Sequence, residues 1–526
     1  MRGIKVIDRV VEYFSPKKAV ERIAYRTKLD IIKNSGYSEN GASITKNALR
    51  GWLANSRSPT EDINLNLPTL RQRSRDTFMS GGVGTAAIRL LRSNVVGSGL
   101  KLKCQLDFEM LGISEEEAKK WSRDVEKRFH FWANNKNCDI MGLNNFYELQ
   151  SINFMATLLN GDSFTFLGYD ENNNLQLNTI EADRISTPTD LEGILINEDV
   201  LELNNGNIIV SGIEFSKNGK TQAVYVCNTY NNYNKSWQRI EINNSYSGLP
   251  NVLHSFETER PGQTRGVPYL THVLEPIKQL TRYTDAEILA NIINSFFVAF
   301  IHTEDKGQMP LAQQVSEEDS ILARQERANT YEIAPGAINV LGTNEKVTFG
   351  DPKRPSSSFD TFVTSMCKII GSTLEIPYEM LLKTFNSSYS ASRAALLESW
   401  KVFRAKREWV ISDYCQKIYE TWLFQQIATG VIKADGFLTD KLKRDLWCES
   451  MWIGSSPGQI DPVKEVNAAI LRVENGFSTR SKEAQELTGT DFNANAKALK
   501  IENELLGGGV QGNEPNKQDE QNGQVL

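Results

Sequence analysis

The order of hydrophobic and polar positions changes character several times along the chain. From Pro68 the pattern predicts two helices, which are broken at Gly81-Gly82 and end at Gly97 and Gly99. A charged helix follows, because Ser114 stands directly before three glutamates, as an N-cap residue stands before an acidic first turn. The first part of the chain, residues 1–60, is predicted to form an arm with one or two short helices.

Between Asp162 and about Phe256 the helical period is replaced by short alternating runs that are separated by Asn- and Gly-rich turns. This pattern is typical of an antiparallel β module. Asn218-Gly219 lies between the runs GIEF and AVYV, and this spacing predicts a hairpin with a two-residue turn.

After Pro268 the pattern is helical again. A helix with one apolar face is predicted from Pro276 to Ile301, and a shorter one over residues 357–374 is stopped by Pro377. The face of the first helix is made by Ile277, Leu280, Ile288, Ile292 and Phe296.

The strongest helical pattern runs from about Ser392 to Gly430, and only Arg407 interrupts its apolar series. The series consists of Leu396, Trp400, Phe403, Val410, Tyr414, Ile418 and Trp422. Two short helices are predicted after Asp461-Pro462. The polar sequence after Leu506 is predicted to be disordered because it has almost nothing to bury.

Composition excludes several classes of protein. The chain has 526 residues, of which 40% are hydrophobic and 24% charged, so wholesale disorder is excluded. The most apolar stretch, Ala290 to Ile301, still contains Asn291, Asn294 and Ser295, so no membrane span is predicted. The six cysteines are dispersed, and the four histidines are too few and too scattered to predict a metal site.

Charge is distributed unevenly. The net charge of −6 argues against a protein that coats nucleic acid, but residues 1–103 carry 19 Lys and Arg against 8 Asp and Glu. This excess fits either a solvated basic arm or a contact with a polyanion or an acidic neighbour.

Two short segments partly match catalytic motifs, but neither has the residues that the motif requires. In the GKT at 219–221 the first glycine of a phosphate loop would fall on Glu214, whose carboxylate would repel phosphate. Gly454 to Gly458 match the serine-hydrolase pattern G-x-S-x-G, but every histidine lies upstream of it. The sequence therefore predicts no catalytic residue, no cofactor and no metal, and a protein that is not an enzyme.

Six segments resemble, in order, the lambda-type portal proteins of tailed bacteriophages, which are head–tail connectors. The resemblance covers roughly residues 65–492, and its most specific segment is ERPGQTRGVPYL at 259–270. The family's basic stretch is replaced by a polar tail after about residue 492, so nothing is carried over beyond that point. The other segments are LRQRSRDTFMSGGVGTAAIRLLRSNVVGSGLKLK at 70–103, FWANNKNCDIMGLNNFYELQSINFMATLLNGDSF at 131–164, IEADRISTP at 180–188, EIPYEMLLKTFNSSYSASRAALLESWKVF at 375–403 and ENGFSTRSKEAQELTGTDF at 474–492.

The resemblance implies an α+β fold: an elongated portal subunit with a β-rich wing, a helical stem, a small α/β clip and a helical crown, assembled as a ring around a central channel. The implied division of the chain is a basic arm at 1–64, the wing at 65–267, stem helix 1 at 268–301, the clip at 302–356, stem helix 2 at 357–374, the tunnel loop at 375–392, the long wing and crown helix with its following segment at 393–454, the crown at 455–505 and the disordered tail at 506–526.

The resemblance also implies a function. The ring, usually a dodecamer, would stand at one capsid vertex of a virion or prophage particle, and double-stranded DNA would pass through it during packaging and ejection without sequence specificity. Implied partners are copies of the chain itself, the large terminase, head–tail adaptor proteins and the major capsid protein or scaffold. No membrane is involved, and synthesis would take place in the host bacterial cytoplasm.

Two groups of residues follow as candidate sites. The tunnel loop would face the DNA with few bases and many small hydroxyls, since fixed phosphate contacts would add friction. Its candidate DNA-facing residues are Lys383, Asn386, Ser387, Ser388, Tyr389, Ser390, Ser392 and Arg393. Arg71, Arg73 and Arg75 alternate along one helix and point in different directions, so they are candidates for inter-subunit or capsid contacts.

Two rival functions remain open at this point. One is an enzyme, such as a nuclease or hydrolase that uses dispersed carboxylates. The other is a DNA-binding adaptor of a virion that acts through the basic N-terminal arm.

Overall fold

The computed structural model divides the chain into two compact units, Met1–Ser58 and Pro59–Leu526. It describes residues 15–18, 20–22, 24–25, 47–49, 56–197, 199–230, 235–295, 299–303, 345–349, 359–385, 388–457 and 461–506. In the first unit the described residues between 16 and 25 are helical, and Asn47–Leu49 form a 3₁₀ turn. Everything below concerns the second unit.

The N-terminal helices of this unit follow the predicted pattern. The break predicted at Gly81-Gly82 is confirmed, because both glycines have positive φ, a conformation that L side chains rarely adopt. The predicted N-cap is also confirmed: Ser114 and Glu117 form a reciprocal capping box. The helices are α1 (Pro59–Ile63), α2 (Leu67–Met79), α3 (Val83–Val95), α4 (Phe108–Leu111), α5 (Glu115–Asn134) and α6 (Phe146–Asn160).

The β module predicted after Asp162 is present as two antiparallel sheets. Strand β1 (Lys101–Cys104), which precedes the module, pairs instead with the distant β13 (Ser450–Ile453). The three-stranded sheet has the order β10-β2-β3, and the six-stranded sheet is a meander from β4 to β9. The strands are β2 (Asp162–Tyr169), β3 (Leu175–Glu181), β4 (Gly193–Asn197), β5 (Val200–Leu203), β6 (Ile208–Val210), β7 (Ile213–Phe215), β8 (Thr221–Cys227), β9 (Trp237–Glu241) and β10 (Val252–Phe256).

The predicted hairpin joins β7 to β8. Its turn holds three residues instead of two, because Ser216 N donates to Lys220 O while Gly219 N donates back to Ser216 O. Gly219 takes the positive φ of 77° that closes such a three-residue loop.

The long helix predicted from Pro276 to Ile301 is shorter than expected. Helix α7 spans Leu274–Ser295, and β11 (Ala299–Thr303) follows it and pairs with β12 (Glu345–Phe349). The predicted helical end at 299–301 was therefore wrong, since Phe300, Ile301 and Thr303 favour a strand once a partner is present. Phe296 of the predicted apolar face lies outside the described residues. Helix α8 (Phe359–Thr373) confirms the predicted helix over 357–374. Of the predicted clip, residues 304–344 and 350–356 lie outside the described residues.

Helices α7 and α8 pack side by side through aromatic rings. The Tyr283 ring lies 5.7 Å from the Phe359 ring and 4.5 Å from the Phe362 ring, measured between centroids. Toward their other ends, Ile277 and Leu280 of α7 and Ile370 of α8 are buried in the main core. The pair is therefore anchored at one end by the core.

The strongest predicted helix is confirmed over nearly its whole length. It consists of α10 (Tyr389–Val410) and α11 (Gln416–Ala428), joined by the π turn Ile411–Cys415, and it follows the short α9 (Tyr378–Leu382). Trp400, Phe403, Val410, Tyr414, Ile418 and Trp422 are all buried, and Leu396 is partly buried.

The main core is centred on aromatic residues from distant parts of the chain. The Phe129 ring makes edge contacts with Phe146, Tyr419, Trp422 and Trp452 at centroid distances of 5.6, 5.6, 5.1 and 5.9 Å. These contacts join α5, α6, α11 and β13, and burial of each such ring contributes about 1.5–3 kcal/mol.

After α11 the described residues form four more helices, and the α+β fold expected from the sequence is confirmed. The helices are α12 (Lys441–Trp447), α13 (Pro462–Glu474), α14 (Arg480–Thr488) and α15 (Phe492–Leu505). Asp461, Thr479 and Asp491 cap the last three through their side chains. The predicted disordered residues 507–526 lie outside the described part. Among the described helices, none combines the length and the apolar composition that a membrane span requires.

Candidate functional site

A buried carboxylate, Asp162, lies at the centre of a cluster of charged side chains. It is the first residue of β2, and its side chain is fully buried. Arg71 of α2 approaches its Oδ1 at 2.8 Å, and Arg265 approaches its Oδ2 at 2.5 Å. Burial opposes the charge of Asp162, but the two guanidinium groups hold the pKa of its carboxyl well below the usual range.

Arg265 ties the two sheets of the β module together. Its Nη1 donates to Ile185 O at 3.0 Å and to Ser211 O at 2.6 Å, and its Nη2 donates to Ala182 O at 2.9 Å. The rigid planar fork of an arginine can make these bonds and the bond to Asp162 at the same time. Arg265 belongs to the segment with the most specific resemblance, but no role was predicted for it from the sequence.

His254 of β10 completes the cluster. Its ring is stacked between Phe164 and Phe256, at centroid distances of 4.2 and 4.4 Å, and its Nε2 lies 3.2 Å from Asp162 Oδ2. Because an ionised carboxylate only accepts, Nε2 is the protonated nitrogen of the neutral ring. Burial lowers the pKa of His254, although Asp162 opposes that shift.

Two glycines allow the chain to come together beside this cluster. A Cβ on Gly266 would lie 1.9 Å from Gly161 O, and a Cβ on Gly161 would lie 2.3 Å from Gly266 O. These residues belong to two separate segments of the resemblance, the one ending in GDSF and the one containing RGVP. Their contact places Asp162 directly beside Arg265.

The three arginines predicted at inter-subunit or capsid contacts have different surroundings. Arg71 is only 4% exposed and is bound inside the subunit to Asp162, Asp183 and Asn160, and its predicted contact with a neighbour stays a prediction. Arg75 and Arg71 do not point in different directions as predicted, because residues four apart share a helical face and both contact Asp183, Arg75 at 2.5 Å. The predicted inter-subunit or capsid contact of Arg75 stays a prediction. Arg73 points away from this face and is exposed, so its predicted contact stays a prediction.

The first half of the predicted tunnel loop is packed into the core. Ile376, Glu379 and Leu381 are buried, and α9 occupies residues that were expected to be loop. The Tyr269 hydroxyl donates to Leu374 O, so the start of the segment is attached to the residues just before α7.

The second half of the predicted loop is exposed. Lys383 has a φ of 54° and ends α9, and Lys383, Phe385 and Ser388 are exposed. Asn386 and Ser387 lie outside the described residues. The backbones of Tyr389 and Ser390 form the first turn of α10.

The last two candidate DNA-facing residues lie within α10. Ser392 and Arg393 are half-buried, and Arg393 Nη1 lies 3.1 Å from Glu465 Oε1 of α13. The carboxylate of Glu465 therefore offsets part of the positive charge of Arg393. None of these findings tests whether the segment faces DNA, which stays a prediction.

Arg407, the residue that interrupts the apolar series of the long helix, has a structural role that the sequence did not indicate. Its Nε donates to Val95 O at 2.9 Å, and its Nη2 donates to Asn94 O at 2.7 Å and Ser455 O at 2.8 Å. It therefore satisfies carbonyls that the end of α3 leaves without helical partners. Its polar position in an apolar series was the available signal.

The lambda-family profile described as "Phage portal protein, lambda family" matches residues 45–407. The chain belongs to this family. The predicted identity as a portal protein, the head–tail connector of a phage particle, is thereby confirmed, and the family consists of structural assembly proteins. The chain is 25% identical over 487 residues to the portal protein of Escherichia phage N15, covering 88% of this chain and 89% of that protein.

Two further proteins are similar to this chain. Portal protein B of Escherichia phage lambda is 25% identical over 482 residues, which are 87% of each chain. A solved structure described as the neck of an empty GTA particle, computed with C6 symmetry, aligns at a TM-score of 0.46 and 12% identity, over 80% of this chain and 92% of that chain.

Proposed function

We propose that this portal protein assembles with copies of itself into a closed ring whose channel passes double-stranded DNA into and out of a capsid at one vertex. The main observation that supports a ring is the exposed apolar surface of helices α7 and α8. Ile288 and Leu289 of α7 are each 57% exposed, and Ile369 of α8 is 56% exposed.

An exposed apolar surface of this kind favours association. The two helices already pack on each other through Tyr283, so the exposed residues lie on sides that this contact leaves open. A repeated head-to-tail contact that closes on itself makes a ring, and closure strengthens a modest interface.

The exposed part of the tunnel loop supports weak contact with DNA. Lys383 is exposed, whereas Arg393 is paired with Glu465. Each fixed contact between a basic side chain and a phosphate adds salt-dependent affinity, so a segment with few exposed bases holds DNA loosely. We propose that this segment lines the channel, with contacts that do not depend on sequence.

The proposed partners follow from this role. The ring would bind the large terminase during packaging and head–tail adaptor proteins afterwards, and it would sit in a shell of major capsid protein or scaffold. Synthesis would take place in the host cytoplasm, and no chemical step is assigned to the protein.

End-on electron-microscope class averages of the purified full-length chain test the ring. We expect closed rings with one rotational symmetry and a central hole wide enough for a DNA duplex. Chains that stay monomeric over a wide range of concentration and salt, together with assembled particles that lack the protein at a single vertex, would contradict the proposal.

A further inference from the structure

The three C-terminal helices, α13 to α15, owe little of their attachment to hydrophobic burial. No residue from 461–506 belongs to the three apolar clusters formed by the described residues, and Ala469 is the only hydrophobic residue of that range that is buried. Many of its large apolar side chains are exposed instead. These are Val463, Val466, Ile470, Leu471, Phe477, Leu499, Ile501, Leu505 and Leu506.

The first two of these helices are held to each other by their own ion pair. Arg472 of α13 contacts Glu483 of α14 through two nitrogens, at 2.9 and 2.6 Å, and Glu483 is buried. This bidentate pair has the geometry of the stronger charge-assisted bonds. The helices can therefore stay together when they separate from the rest of the chain.

Three ion pairs join these helices to the rest of the described chain, one on each helix. They are Arg393 with Glu465 of α13 at 3.1 Å, Arg404 with Glu486 of α14 at 4.0 Å, and Lys103 with the α15 cap Asp491 at 2.5 Å.

These three pairs are sensitive to ions because they are partly exposed. The side chains of Arg393 and Arg404 are 35% and 54% exposed, and that of Lys103 is 27% exposed. Salt shortens the reach of such charges from about 10 Å at 0.1 M to about 3 Å at 1 M. Burial opposes the charge of Lys103, but the hydrogen bonds that its ammonium group donates to Asp491 and Glu126 raise its pKa, so Lys103 stays charged at neutral pH.

We propose that α13 to α15 form an electrostatic latch, a unit that opens as one body when its three ion pairs are screened or when a DNA phosphate draws Arg393 away from Glu465. The second trigger rests on the proposed function, because it requires DNA near the start of α10. In that case DNA in the channel and the position of the C-terminal helices are coupled through one arginine.

Amide hydrogen exchange of the full-length chain tests the latch without requiring DNA or a ring. We expect exchange in α13, α14 and α15 to accelerate together by at least about tenfold between roughly 50 mM and 1 M salt, because screening removes the attachment. Exchange in the core helix α6 should change little. Equal protection of the three helices at both salt concentrations would overturn the proposal.

Charge-reversal substitutions test whether Arg393 and Glu465 form a direct ion pair that holds the three helices. Arg393→Glu and Glu465→Arg should each accelerate exchange in the three helices about tenfold at low salt, and the double variant should return it to within about threefold of the natural chain. Lys401→Glu is the matched control, since Lys401 lies on the same helix and, among the described residues, its ion pair is the local one with Glu398. If the three helices exchange as fast in the double variant as in either single variant, Arg393 and Glu465 do not form a direct pair.

Addition of a short DNA duplex of mixed sequence tests the second trigger. DNA should accelerate exchange in the three helices of the natural chain and leave Arg393→Gln unchanged. If rings form but DNA leaves the exchange unaltered, the coupling to DNA is wrong while the proposed function stands. If no rings form, the proposed function fails, and the salt experiment still decides the latch.

Discussion

Asp162 is a fully buried carboxylate that pairs with two arginines, so we expect the stability of the β module to depend on it. Both guanidinium groups are nearly fully buried beside it. A buried ion pair contributes little compared with apolar packing, but the loss of one partner leaves the other charge buried without compensation.

We expect Asp162→Asn to lower the free energy of unfolding by about 3–5 kcal/mol, because the buried Arg265 and Arg71 then lose the carboxylate that they share. Urea denaturation followed by tryptophan fluorescence measures the change. Asp190→Asn is the control, since Asp190 is exposed. Equal denaturation midpoints for the two variants would show that the charge of Asp162 is not needed to stabilise the buried arginines.

His254 makes stability depend on pH with a defined sign. Its pKa is lowered in the folded chain, so the unfolded chain takes up the proton first as the pH falls. The stabilising contribution of the neutral ring is therefore present above the unfolded pKa of about 6.5 and is lost as the pH falls toward the lower folded value.

We expect stability to fall by up to about 1.4 kcal/mol per pH unit below pH 6.5 through this residue, and His254→Gln to remove that part of the slope. The groups facing His254 are Asp162, Arg71, Arg265 and Asp413. Burial raises the pKa of Asp413, so this group makes stability increase as the pH falls, opposite to His254. The quantity to measure is therefore the difference in pH dependence between the natural chain and His254→Gln. Parallel pH profiles would exclude the assignment.

At the scale of elements, the close approach of Gly161 and Gly266 determines where β2 meets the segment leading into α7. The contact is between backbone atoms, which cannot rotate away as a side chain would. A methyl group at Gly266 must therefore push the two segments apart.

We expect Gly266→Ala to cost about 1–3 kcal/mol of stability or more, as overpacking does, and to loosen the hydrogen bond from Tyr269 N to Leu158 O. Thermal unfolding together with hydrogen exchange at Tyr269 measures both effects. Gly168→Ala is the control, because a Cβ there meets nothing within 4 Å. The same unfolding temperature for both variants would mean that the backbone shifts at little cost.

At the scale of the whole molecule, the exposed apolar residues of α7 test the ring directly. We expect Ile288→Ser combined with Leu289→Ser to raise the concentration needed for ring formation at least about tenfold, since each buried aliphatic side chain contributes about 1.5–3 kcal/mol. Mass photometry over a dilution series measures the ring fraction.

The matched control for this change is Met79→Ser, because Met79 is 76% exposed at the end of α2. It should leave ring formation unaltered if α7 makes the contact. Rings that form equally well from the double variant would place the subunit interface elsewhere. For both variants the free energy of unfolding should stay within about 0.5 kcal/mol of that of the natural chain, as expected for surface positions.

The sequence by itself determined the type and order of most elements. The glycine break at Gly81-Gly82, the capping box at Ser114 and the apolar series of the long helix depend on residues within a few positions of each other, so local physics fixes them. The order of the segments that resemble portal proteins likewise indicated the family, since such a resemblance is visible in the sequence alone.

Only the tertiary structure decided what the charged residues do. Arg71 and Asp162 are 91 positions apart, and Asp162 and Arg265 are 103 apart, so no local pattern could pair them. Helix α7 spans Leu274–Ser295, and the strand that begins at Ala299 pairs with a partner more than 40 residues away. A guanidinium group has the same helical preference in water as in a core, and only packing decides whether its charge meets a carboxylate, a carbonyl or solvent.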